Sequence, residues 1–406
     1  MKVLFALLLL VLAARVSAVL NLVIVGDETS TDGALCLDGT RPAYWIKRTN
    51  STKWAIQIQG GGWCYNELDC FGRSGTHHGS IKYLTHTMNE EGVSTLDPSR
   101  NPLFYDWNQV LFAYCDGASF TGDREDPIEV QGKKIYFRGF RILKALVKNL
   151  LDVQGMSKAT DVLLTGCSAG GLSTFLHADH VHNMLPAGVT FKAAPMSGYF
   201  LNHANDEGIT VYPDEMKKVF EMHQASAGLP AACLGSRPQT LSWTCLFASE
   251  VYPFVQSPIF VINSMYDSWS MMCIFDAEPV QPGRMDNGNC TAIAAWNDCL
   301  SQRQCTVQQI QHITDTWGNV FSSSISSSVT FTKNGNGAFL FSCYIHCGEC
   351  GNGYTSFRIN GLSVSQTLTK WYQSDATTSQ AAAYTFVDCK WYKDMCCNPT
   401  CDDCAH

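Results

Sequence analysis

The stretch Gly166-Cys167-Ser168-Ala169-Gly170-Gly171 constrains this chain more than any other. It has the G-x-S-x-G form of a turn that lifts a nucleophilic serine above the end of a strand. The flanks suit that geometry. The apolar run Asp161–Thr165 reads as a buried strand, and Leu172–His177 reads as the opening of a helix. Glycines on both sides of Ser168 relieve crowding that a Cβ would create in so tight a strand-to-helix turn. The helix N-terminus behind the serine offers unpaired backbone N–H groups to a developing oxyanion. A glycine- and serine-rich chain can carry this pattern by chance, and its position after a strand favours the functional reading.

Other segments extend the same architecture. Lys53–Gln59 alternates apolar and polar residues as a half-buried strand does, and leads into Gly60-Gly61-Gly62-Trp63. Val110–Cys115, Phe191–Ala194, Ile259–Asn263 and Phe339–Phe341 are further strand candidates. Ile142, Leu143, Leu146, Val147 and Leu150 make the core face of one helix, and Val307, Ile310 and Trp317 mark another. Ser322–Ser328 reads as a helix end or loop. Strands alternating with helices predict an α/β fold of the α/β-hydrolase type, a mostly parallel sheet with helices on both faces. Cys389, Cys396, Cys397, Cys401 and Cys404 crowd the end of the chain. They predict a disulfide-stapled appendage over 376–406, outside the sheet, after a main domain over 19–375.

Residues 1–18 have the form of a secretory signal peptide. Lys2 precedes the apolar stretch Val3–Ala14, and Val16-Ser17-Ala18 is a small-residue cleavage site. The apolar stretch is too short for a spanning helix, and Arg15 interrupts it. Nineteen cysteines fit an oxidising, extracellular or cell-wall location. Asn50-Ser51-Thr52 and Asn289-Cys290-Thr291 are glycosylation sequons, which places candidates at Asn50 and Asn289. The formal charge of −8 becomes −10 once Lys2 and Arg15 leave with the signal. That charge argues against a nucleic-acid partner. No later segment approaches the length of a membrane span, and the expectation is a monomer.

A serine nucleophile needs a base and a group to orient it. In the α/β-hydrolase order the acid and then the histidine follow the serine. Asp267 lies just past the Ile259–Asn263 strand, where an open α/β sheet builds its site. Asp276 and Asp286 are less well placed. Three histidines follow Asp267: His312, His346 and His406. His406 is the last residue, and His312 falls on the polar side of its helix. His346 follows the Phe339–Phe341 strand between Cys343 and Cys347, which can hold its loop rigid. A purely structural histidine is the competing reading. Ala169 and either Gly62 or Trp63 are the candidate oxyanion donors, although three glycines also suit an ordinary tight turn. Cys167 is expected to be a buried free thiol, since an odd cysteine count leaves at least one unpaired. Cys347–Cys350 and Cys401–Cys404 have zinc-like spacing, but disulfides are the better reading in a cysteine-dense secreted chain.

Taken together, these residues resemble the pectin acetylesterase family, which includes the Notum carboxylesterases. The resemblance rests on C-L-D-G-T from Cys36, Q-G-G-G-W-C from Gln59, N-P-L-F-Y-D-W-N from Asn101 and Y-C-D-G-A-S-F-T-G-D from Tyr114. It continues through F-R-G-F-R-I from Phe137, G-C-S-A-G-G from Gly166, Y-D-S-W from Tyr266 and S-C-Y-I-H-C from Ser342. It implies Ser168 as nucleophile, Asp267 as acid, His346 as base, and Gly62, Trp63 and Ala169 as the oxyanion segment. The Tyr114–Asp123 segment resembles the plant-type branch, which implies acetyl esters of cell-wall pectin as substrate, with no metal or organic cofactor. The region Asn202–Trp243 and the tail after Trp371 depart from that branch. A Notum-like lipid deacylase and an inactive binding protein of the same fold are the competing readings.

Overall fold

The computed structural model describes residues 19–26, 33–89, 91–278, 290, 296–333, 335–401 and 404. The signal-peptide segment, Asn289, Asp286 and His406 lie outside the described residues, and Asn50 is exposed. The first strands are β1 (Val19–Ile24), β2 (Ala43–Lys47), β3 (Lys53–Ile58), β4 (Thr87–Asn89) and β5 (Asn108–Phe112). A small hairpin follows, β6 (Ile128–Val130) with β7 (Lys133–Ile135). Next come β8 (Asp161–Cys167), β9 (Thr190–Met196), β10 (Phe260–Ser264) and β11 (Gly337–Phe341). A second hairpin, β12 (Arg358–Ile359) with β13 (Leu362–Ser363), precedes β14 (Thr385–Val387).

Ten of these strands form one sheet in the order β14-β11-β10-β9-β8-β3-β5-β2-β1-β4. From β14 to β5 every pairing is parallel, and β2, β1 and β4 add antiparallel at the other edge. This is the α/β sheet expected from the sequence.

Two cores lie against its faces, and strand alternation assigns residues to them. Trp54, Ile56, Val162, Leu164, Val261 and Leu340 pack in one core, with helices α1 (Gly139–Asp152) and α2 (Ala169–Met184). Ala55, Leu163, Phe260, Ile262, Phe339 and Phe341 pack in the other, under Leu368 and Trp371 of the Val364–Gln373 helix. The helix expected through Trp317 runs as Val307–Ile313, a wider turn over Thr314–Gly318, and a further helix Asn319–Ser326 that takes in most of the serine-rich patch.

Two expectations are corrected. The tail is not outside the sheet: β14 pairs with β11 as its edge strand. Beyond β14, Trp391 is buried and stacks on Tyr266 at 3.9 Å, and Cys401 is bridged to Cys343. Burying those rings and closing that bridge hold the segment against the sheet. The second correction concerns Cys167, which is not an isolated thiol. The elbow turns its side chain toward the core beneath Met196, where the chain after His346 returns Cys347 and Cys350. Cys167 is within disulfide reach of both, with Cα–Cα separations of 6.0 and 6.5 Å. The other sixteen cysteines form eight bridges: 36–115, 64–70, 233–245, 273–290, 299–305, 343–401, 389–397 and 396–404. Neither C-x-x-C segment pairs within itself in these bridges. No helix among the described residues is long and apolar enough to cross a membrane.

Candidate active site

Ser168 sits between β8 and α2 with φ 60° and ψ −127°. A residue with a Cβ rarely adopts that conformation, which costs about 1–3 kcal/mol and persists only where the surroundings impose it. The surroundings here are backbone. A Cβ on Gly166 would lie 2.4 Å from the Gly170 carbonyl oxygen, and one on Gly170 would lie 2.1 Å from that of Ile58. Only glycine lets the elbow pass so close to β3. The Ser168 N–H donates to the Met196 carbonyl at 3.1 Å, which ties the turn to β9.

The loops after β10 and β11 bring Asp267 and His346 to this elbow. Ser168 Oγ is 2.8 Å from His346 Nε2, and His346 Nδ1 is 2.7 Å from Asp267 Oδ2. Asp267 is 1% exposed, and its other oxygen accepts the Ser270 N–H at 2.8 Å. With a carboxylate facing Nδ1, the neutral ring carries its proton there and leaves Nε2 free to accept from the serine hydroxyl. Burial disfavours the imidazolium, but the charge and hydrogen bond of Asp267, with a smaller contribution from Glu349, outweigh it and raise the His346 pKa above 6.5. Glu349 is fully buried and accepts the Ser197 hydroxyl at 2.6 Å, and burial pushes its carboxyl up to about 7. His312 stands elsewhere, half-exposed and 2.6 Å from Asp206.

The tail braces both loops. Trp391 Nε1 donates to the Ser342 carbonyl at 2.8 Å, and Asp388 accepts the Ser342 N–H and hydroxyl. The Cys343–Cys401 bridge fixes the residue three before His346.

The glycine-rich loop after β3 crosses directly over the serine, since a Cβ on Gly60 would lie 2.8 Å from Ser168 Cβ. Its carbonyls are held from behind. Arg73 donates to the Gly61 and Trp63 oxygens at 2.7 and 3.1 Å, and the Tyr114 hydroxyl donates to that of Gly62 at 2.7 Å. Ser119 joins the loop to the elbow: it accepts from Trp63 Nε1 at 2.7 Å and donates to the Ala169 carbonyl at 2.9 Å. Among the described residues, no acceptor engages the backbone N–H of Gly62, Trp63 or Ala169. Arg73 and Ser119 were not singled out from the sequence, because nothing local marks a side chain that supports a loop from a distance.

Aromatic rings wall one side. Trp63 packs on Phe200, Tyr212 and Trp269 with ring centroids 5.1, 5.8 and 5.5 Å apart. Phe200 and Trp269 lie 5.0 Å from each other and 6.3 and 6.2 Å from the His346 ring.

A sequence model of the Pectinacetylesterase family matches residues 13–402. The chain belongs to the pectinacetylesterase family. It is 32% identical over 388 residues to pectin acetylesterase 11 of Arabidopsis thaliana, covering 92% of this chain and 91% of that one. The palmitoleoyl-protein carboxylesterase notum1a of Danio rerio is 25% identical over 395 residues, covering 90% of this chain and 70% of its own. The solved structure of the Wnt deacylase Notum from Drosophila shares the fold, with a TM-score of 0.74 at 22% identity over 94% of this chain and 99% of that one. Membership of the family makes this chain a carboxylic ester hydrolase.

Proposed function

We propose that this protein is a secreted serine esterase that removes O-acetyl groups from cell-wall pectin through an acetyl-enzyme, acting as a monomer. What carries the chemistry is the continuous hydrogen-bonded row from Ser168 through His346 to Asp267, set under unengaged backbone N–H groups. His346 Nε2 takes the serine proton as Oγ attacks the acetyl carbonyl. Asp267 keeps the ring oriented and stabilises the imidazolium. The Ala169 N–H, with that of Trp63 or Gly62, receives the oxyanion. The imidazolium then protonates the departing sugar alcohol, and water released from its proton by His346 hydrolyses the acetyl-enzyme.

Two observations favour a short acyl group. The Arabidopsis pectin acetylesterase is more similar in sequence than the zebrafish Notum. The rings of Trp63, Phe200, Tyr212 and Trp269 are packed against one another beside His346, and a long chain has to displace them. The signal-like N-terminus and the dense disulfides support secretion. The intact row of three side chains counts against an inactive binding protein. Acetate release from acetylated pectin and acetylated xylan, run beside a palmitoyl ester, tests this reading. Pectin is expected to be the best substrate. Preference for the palmitoyl ester would reassign the protein to lipid deacylation, and preference for xylan would replace the polymer.

A further inference from the structure

Sixteen of the nineteen cysteines are committed to eight bridges, and the remaining three meet at the elbow. A sulfur forms only one S–S bond, so Cys167 pairs with Cys347 or with Cys350 and the third cysteine is left over. Both pairings have Cα separations in the range disulfides span, 6.0 and 6.5 Å. They close loops of nearly equal length, with sequence separations of 180 and 183, so chain entropy does not choose between them. All three residues are half-buried rather than sealed in the core. Cys167 and Cys350 also line an open cavity of about 530 Å³ with Gly60, Gly166 and Met196.

We propose that Cys167, Cys347 and Cys350 form a thiol–disulfide exchange site that tunes the catalytic geometry and always keeps one modifiable thiol beside it. The thiolate of Cys350 attacks Cys167 Sγ of the Cys167–Cys347 bridge. The Cys350–Cys167 bond forms, the Cys167–Cys347 bond breaks, and Cys347 leaves as a thiolate that takes up the proton Cys350 lost. One disulfide and one thiol are present before and after the step, so no external oxidant or reductant is consumed. The two states hold the site differently. Cys167 precedes Ser168 and Cys347 follows His346, so their bridge ties nucleophile to base directly. The alternative bridge leaves three more residues between the tie and His346. Cys347 is therefore a positioning residue.

The pairing stands independently of the esterase reading, whereas its effect on rate rests on that reading. The test traps free thiols of the native protein with N-ethylmaleimide at acid pH and maps unreduced peptides. One label per chain is expected, divided between Cys347 and Cys350, with both Cys167-linked peptides present. A label confined to one residue, a label on Cys167 or on any of the sixteen others, or no label overturns the exchange. Cys350→Ser, which can form only the direct tie, is expected to keep full kcat and to resist maleimide. Cys347→Ser is expected to lose about three- to tenfold in kcat at unchanged KM, with Ser168 still labelled fully by a fluorophosphonate. Equal kcat in the two variants would overturn the positioning effect. Absence of Ser168 labelling and of ester turnover in every form would instead count against the esterase reading and leave the peptide map to decide the exchange.

Discussion

Phe200→Ala should widen the range of acyl groups accepted. Phe200 is 1% exposed and its ring packs against Trp63 at 5.1 Å and Trp269 at 5.0 Å, with His346 at 6.3 Å. Removing it leaves space beside His346 that an acetyl group does not fill. A butyryl ester adds two methylenes, each worth about 0.8 kcal/mol when buried. The gain of about 1.6 kcal/mol corresponds to roughly fifteenfold in the butyryl-to-acetyl ratio of kcat/KM. The same truncation costs about 3–5 kcal/mol of stability, so the variant is assayed below its melting range and checked by circular dichroism. Acetyl, butyryl, octanoyl and palmitoyl chromogenic esters give the ratios. An unchanged ratio in a folded variant would refute the aromatic wall as the limit on acyl size.

Three further outcomes are expected. The proposed mechanism makes the neutral His346 imidazole the working form, and with its pKa raised it predicts that kcat/KM falls as pH drops through a half-point above 6.5. Asp267→Asn removes the charge that contributes most to raising it and leaves the smaller contribution of Glu349, so the half-point moves to lower pH while kcat drops on the order of 10³–10⁴-fold; a half-point that stays or rises contradicts the assignment. His346→Ala should lose activity on the scale of Ser168→Ala, with the double variant little worse, whereas His312→Ala should stay within about twofold, as expected for a surface histidine; kinetics of the purified variants decide it. Lys192 is buried in β9 and donates to the carbonyls of Trp371, Tyr372 and Ser374 at 3.1, 2.9 and 2.8 Å. Lys192→Met strands these acceptors at the end of a helix and should cost about 3 kcal/mol in a denaturant titration, and a loss under about 1 kcal/mol would show that they find other partners.

What could be read from the sequence was local. The elbow announces itself because its strand, its glycines and its helix are contiguous, and the central strands are apolar runs bounded by turns. Asp267 and His346 follow from chain order, and in the structure His346 meets Ser168 with Asp267 behind it because parallel strands deliver successive loops to the same end of a sheet. Other features depend on distant partners. The partners of Cys167 lie 180 and 183 residues away, and spacing alone does not encode them. The strand β14 is three residues long and joins the sheet because Trp391 and the Cys343–Cys401 bridge hold the tail in place, not through a pattern of its own. Phe200, Tyr212 and Trp269 come from separate segments, so their convergence on Trp63 belongs to the tertiary structure. The same holds for Arg73 and Ser119, whose bonds to the glycine loop connect parts of the chain with no shared periodicity.

The central claim, that Ser168 is the residue acylated during turnover, is open to one direct measurement. The protein is mixed with an activated acetyl ester, quenched in acid within the first turnovers, and analysed as intact mass and as peptides. One acetyl group per chain, on the peptide containing Ser168 and absent from Ser168→Ala, is the expected result. An acetyl group on another residue, or steady turnover with no acetylated enzyme and undiminished in Ser168→Ala, would contradict the account.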